Sequence, residues 1–117
     1  MIPLTMLNSY RVEAQAACCL FPRTVAELAR ALAPEAGQAV HVLGHGCNVI
    51  LSRPSYDATH RFVCLRELET AIVLDGERVR AGAGARLRDL CRAAARPACP
   101  AWKTCGTFRA ALAARPA

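Results

Sequence analysis

The chain has 117 residues, 54% of them apolar and 21% charged, with a formal net charge of +6. That length excludes most complete two-domain enzymes, and the apolar content excludes a disordered tail. No uninterrupted apolar run approaches the ~20 residues of a membrane span, so a soluble globular piece with no membrane partner is expected. The charge is uneven: Arg96, Lys103, Arg109 and Arg115, with no acid among residues 96–117, supply +4 of the total. The body that precedes them is nearly balanced. Only Trp102 and Phe108 are interleaved with the cations of the tail, so a nucleic-acid surface is not expected either.

The N-terminal MIPLTMLNSYRVEAQAA carries polar residues where a signal peptide needs a continuous apolar stretch. Seven cysteines, at 18, 19, 47, 64, 91, 99 and 105, form no visible disulfide framework. Both observations point to a cytoplasmic setting with reduced, mostly buried and inert thiols. His41, His45 and Cys47 lack a Cys-x-x-Cys partner and a fourth ligand, so no metal site is expected.

Residues 17–21, Ala-Cys-Cys-Leu-Phe, read as a buried strand stopped by Pro22. Thr24 and Glu27 have capping-box spacing, and Val25, Leu28, Ala29 and Leu32 form the apolar stripe of a helix closed by Pro34 and Gly37. Val40–Leu43 and Val49–Leu51 read as the next two strands. The strand, helix, strand order implies a crossover and a parallel pair. Ser52–Arg61 is polar and reads as a loop, followed by strands over Phe62–Leu65 and Ala71–Leu74. Asp75-Gly76 signals a two-residue type I′ hairpin turn with Glu77–Arg80 returning. A second helix follows Gly82 and Gly84, with Leu87, Leu90, Cys91 and Ala94 as its stripe.

Between the second and third expected strands lies Gly44-His45-Gly46-Cys47-Asn48. Glycines after a buried strand let backbone approach a ligand, and convergent N–H groups there suit an anion such as a pyrophosphate. Asn48 offers an amide to lock the loop, and residue 47 a further donor. Taken alone, so short a Gly-x-Gly segment is a weak signal and reads first as a plain turn. It is not the dinucleotide fingerprint, because no third glycine opens a helix.

The order of Leu7-Asn8-Ser9-Tyr10-Arg11-Val12, the capped helix, Leu43-Gly44-His45-Gly46-Cys47-Asn48-Val49, Asp75-Gly76-Glu77 and Ala81-Gly82-Ala83-Gly84 resembles the N-terminal part of the UDP-N-acetylenolpyruvoylglucosamine reductases. These are flavoenzymes of peptidoglycan precursor synthesis with a PCMH-type FAD-binding domain. The resemblance spans residues 7 to about 96. It implies an α+β fold, specifically an incomplete PCMH-type FAD-binding domain made of a small parallel βαβ unit, an antiparallel hairpin and a helix. It also implies FAD as cofactor, NADPH as hydride donor and a UDP-sugar substrate, UDP-N-acetylglucosamine-enolpyruvate, reduced to UDP-N-acetylmuramate.

Gly44, His45, Gly46, Cys47 and Asn48 match the family's pyrophosphate loop, which usually ends Gly-Ser-Asn. Cys47 stands where the serine would, and a thiol is the weaker donor. Gly82 and Gly84 are further cofactor candidates or simply turn-shaping glycines. The family's catalytic residues lie beyond the matched segment, so none is assigned and the chain alone is expected to be inactive.

The family continues with a segment close to GLPGLENL and then IPG-x-VG-x-A, whereas this chain reads ARPACPAWKTCGTFRAALAARP. Taking the third base of each codon with the first two of the next, Trp102-Lys103 forces glutamate. The codons of Pro97 through Cys105 permit the whole of GLPGLENL, and those of Thr107 onward permit the second motif. Residues 97–117 are therefore expected to be an out-of-frame translation, with 1–96 the family-like part. Two other readings stand beside this one: a small non-enzymatic phosphate- or nucleotide-binding module, and a piece of another PCMH-type flavoprotein.

Overall fold

The computed structural model describes residues 1–33 and 35–95, which fall into two compact units, Met1–Leu68 and a second beginning at Glu69. The fold is mixed α+β, with two helices and two sheets. The expected division at residue 96 and the tail 97–117 lie outside the described residues.

In the first unit, strands β1 (Ile2–Pro3), β2 (Gln15–Leu20), β3 (Ala39–Leu43) and β4 (Ser55–Cys64) form one sheet in the order β1-β2-β4-β3. Both β2 and β3 run parallel to β4, so the expected parallel relation is present, but β4 lies between the two strands. Phe62, Val63 and Cys64 therefore sit at the sheet's centre, 0–2% exposed, and Phe62 and Cys64 pack with Leu4, Ala16, Cys19 and Leu43 in the core. Near-continuous burial of this kind is what a strand flanked on both sides acquires.

Two sequence expectations are corrected here. Val49–Leu51 forms no strand: it is irregular backbone, and Ile50 is exposed. Conversely, the polar stretch expected to be a loop contains the first seven of the ten residues of β4. Its pairing with β2 passes from Ala16↔Tyr56 to Cys18↔Arg61, so four residues of β4 oppose Ala17 alone. Asp57 stabilises this bulge by accepting from the Thr59 N–H at 2.9 Å. The polar residues thus belong to a bulged strand, not to a connection.

Helix α1 (Val25–Leu32) starts as the capping spacing implies, with Thr24 Oγ1 accepting from the Glu27 N–H at 3.1 Å. The Glu27 carboxylate reaches one residue further back than a capping box requires and accepts from the Arg23 N–H at 2.7 Å. The expected stripe is displaced: Val25, Ala29 and Leu32 are exposed, and the inward face is carried by Leu28 and the buried Ala31. At the C-terminal end Arg61, 8% exposed, donates to the carbonyls of Ala31 and Ala33 at 3.4 and 2.8 Å and pairs with Glu35 at 2.9 Å. A strand guanidinium thus satisfies orphan carbonyls of the helix end.

In the second unit, β5 (Ile72–Asp75) and β6 (Arg78–Ala81) form an antiparallel hairpin and α2 (Leu87–Ala94) follows. Asp75 pairs with Arg78, so the turn residues are Gly76-Glu77, one place later than expected. Gly76 has φ +57°, and Arg11 is the only non-glycine with positive φ among the described residues. Positive φ at the first turn position alone is the II′ pattern, not I′. In α2 two members of the expected stripe turn inward, Leu90 half-buried and Ala94 buried, joined by half-buried Ala93, whereas Leu87 and Cys91 are exposed.

Candidate functional site

The Gly44–Asn48 loop leaves the C-terminal end of β3, where parallel strands commonly open onto ligands. Gly46 is its pivot. It is buried with φ +68°, and an added Cβ would overlap the backbone carbonyl of Leu7. Only glycine combines that conformation with that approach. Gly44 is different: it is exposed, and a Cβ there would meet open space.

The loop is held by the N-terminal segment. Asn8, 3% exposed, donates through Nδ2 to the carbonyls of Leu4 and Val12 at 2.9 and 3.1 Å, and its Oδ1 accepts from the Val12 N–H at 2.9 Å. This amide staples residues 4–12 into one turn, in which Arg11 adopts φ +56°. The turn presents Ser9 to the loop. The Ser9 N–H donates to the Gly46 carbonyl at 3.0 Å, and its hydroxyl donates to the Cys47 carbonyl at 3.4 Å. From below, half-buried Arg66 donates to the His45 carbonyl at 2.9 Å and to the Met6 carbonyl at 3.1 Å.

Three successive carbonyls, of His45, Gly46 and Cys47, therefore face protein donors. Because each peptide unit is planar and trans, the N–H groups of Gly46, Cys47 and Asn48 point away from those donors. Successive N–H groups after a left-handed glycine are the backbone pattern from which anion-binding concavities are built. The Arg66 guanidinium beneath it adds a fixed positive charge.

The expected roles of two loop side chains are corrected. The Cys47 thiol donates weakly to the His45 carbonyl at 3.8 Å, so it closes the loop on itself instead of extending a donor outward. The exposed Asn48 amide makes no locking hydrogen bond among the described residues, and the lock is Asn8. Arg66 has no signal in the sequence, since nothing in Leu65-Arg66-Glu67 marks it as reaching a loop some 20 residues earlier.

Gly82 and Gly84 lie in the second unit. The Gly82 N–H donates to the Ala71 carbonyl at 2.9 Å and the Gly84 N–H to the Glu69 carbonyl at 3.0 Å, while a Cβ on Gly82 would overlap the Glu69 carbonyl. These contacts give both glycines a turn-shaping role beside β5.

The cysteines are less uniformly buried than expected. Cys19 and Cys64 are buried, Cys18 is half-buried, and Cys47 and Cys91 are exposed; all five are free. Burial pushes the Cys19 thiol up to about 11, with Cys64 and Cys18 adding to the shift, so it stays protonated and unreactive. Among the described residues no cluster of three or more His, Cys, Asp or Glu could hold a metal ion. No helix among them is long and apolar enough to cross a membrane. Scans against family models, curated proteins and solved structures found no match to this chain.

Proposed function

We propose that the chain is the N-terminal part of a PCMH-type FAD-binding domain of the UDP-N-acetylenolpyruvoylglucosamine reductase type, and that its Gly44–Asn48 loop cradles the FAD pyrophosphate. The observation that carries this reading is the joining of Asn8-Ser9 to Gly46-Cys47. The two most specific elements of the resemblance, Asn8–Val12 and Leu43–Asn48, are far apart in sequence and meet through two Ser9 hydrogen bonds. Their meeting gives the resemblance a physical reason: one segment exists to aim the other.

The residues fit the diphosphate portion of such a cofactor. Backbone N–H groups of Gly46, Cys47 and Asn48 supply donors, open space at Gly44 lets the ligand approach, and Arg66 offsets its charge. When bound, FAD would carry hydride from NADPH to the enolpyruvyl double bond of the UDP-sugar. This chain's contribution is to bind and orient the cofactor. Proton delivery and substrate binding belong to residues the family carries elsewhere, so the 117-residue chain alone is inactive as a reductase and holds FAD weakly, in the cytoplasm.

The experiment is a titration of ¹⁵N-labelled chain with ADP, which carries the diphosphate without the flavin. The amide resonances of Gly46, Cys47 and Asn48 should shift together and saturate. Shifts scattered over the protein, or none in this loop, would leave the glycine segment a plain turn.

A further inference from the structure

A second group of polar residues lies on the β3–β4 side of the first unit, in a cleft whose lining includes Leu43 and Val49, the residues that flank the glycine loop. The cleft, of about 530 Å³, is lined by His41, His60, Arg53 and Tyr56 together with aliphatic residues that include Val49 and Leu51. His41 Nε2 and His60 Nδ1 are 2.9 Å apart, and on the far side of the second ring His60 Nε2 lies 3.5 Å from Arg53 Nη1. The rings are held in place: His60 lies beside His41 with centroids 5.1 Å apart and planes within 17°, and Tyr56 meets it edge-on at 5.4 Å and 76°. The Tyr56 hydroxyl also accepts from the Arg53 N–H at 3.3 Å, fixing the backbone that carries the guanidinium.

Arg53 can only donate, so its contact is a hydrogen bond only with His60 as the Nδ1–H tautomer, which then donates to His41 Nε2. The Arg53 contact is long and ends on a neutral acceptor, a poor partner for a cation. Among the described residues Arg53 has no ion pair. Asp57 interacts with His60 and Arg53 through its charge, but its hydrogen bonds go to the Thr59 N–H and hydroxyl. The cleft therefore holds a cation and an imidazole nitrogen, 3.5 Å apart, with no anion between them.

We propose that this cleft is a binding site for a small aromatic carboxylate, gripped between Arg53 and His60. Two nitrogens at that separation can each lie ~2.8 Å from the oxygens of one carboxylate, or from a single shared oxygen. To donate there, His60 takes its Nε2–H tautomer, and its freed Nδ1 accepts from His41 Nε2–H. The hydrogen bond between the imidazoles reverses direction, both rings stay neutral, and the protons are exchanged with water without net uptake. The aliphatic walls take the ring of the ligand. The site requires neither FAD nor the glycine loop.

The test is imidazole ¹⁵N NMR of the full chain near neutral pH with benzoate as probe and uncharged benzamide as control. Benzoate should move His60 Nε2 from an unprotonated to a protonated signal in a saturable way, and benzamide should not. Arg53→Gln, at an exposed position whose backbone contact to Tyr56 is retained, should weaken benzoate binding by roughly tenfold or more. His60→Gln should weaken it similarly. An unchanged His60 tautomer under saturating benzoate, equal effects of benzamide, or wild-type affinity in Arg53→Gln would each overturn the proposal.

Discussion

Gly46 concentrates the conflict between chemistry and conformation in the candidate loop. Its φ of +68° and its approach to the Leu7 carbonyl leave no room for a Cβ. Gly46→Ala should therefore cost about 2–4 kcal/mol in urea unfolding, well above the few tenths expected at an unconstrained surface position. Gly44→Ala, where a Cβ meets open space, serves as the mild control.

His41 gives a second expectation. Desolvation, reinforced by His60, lowers its pKa from the ordinary 6.5. The folded state then binds a proton less readily than the unfolded chain, so the associated stability is complete above 6.5 and is lost as pH falls from there toward the depressed native value. Unfolding midpoints should drop as pH falls below about 6.5, and His41→Phe should flatten that drop. Asp57 does not confuse the result, because its carboxylate is held below 3.8 by Thr59 and acts only in stronger acid. The glycine pair was legible as a candidate loop from sequence. The His41–His60 contact was not, because it depends on the register Ala39↔His60 and His41↔Phe62, which no local pattern announces.

At the scale of elements, start signals were read more reliably than buried faces. Thr24 caps α1 at its expected place because an N-cap is a local hydrogen bond that needs no tertiary partner. Thr24→Ala should cost about 1 kcal/mol in thermal or urea unfolding, with little change at the glycine loop. The stripe of α1 was misplaced because Arg61 turns its C-terminal end toward β4 and draws Ala31 inward, leaving Val25 80% exposed. Val49–Leu51 failed as a strand for a related reason: apolar residues can cover a core as irregular chain when another segment supplies the ladder. That segment is β4, whose mostly polar first seven residues concealed it.

For the chain as a whole, the net charge of +6 divides into a nearly balanced body and a basic tail. The fold class was legible as α+β. The sheet order was not, because β4 is placed between β2 and β3 by pairing alone. Gly44–Asn48 was legible only as a candidate loop, and the contacts that hold it, from Asn8 through Ser9 and from Arg66, emerge only once distant segments meet.

The reading as a reductase fragment makes one claim that does not depend on folding: residues 97–117 come from codons whose neighbouring frame encodes the family's next segment. Determining the coding nucleotide sequence across those residues tests it most directly. The account predicts that the shifted frame spells a run close to GLPGLENL followed by IPG-x-VG-x-A and stays open beyond it. A shifted frame with other residues, or one that stops at once, would contradict it.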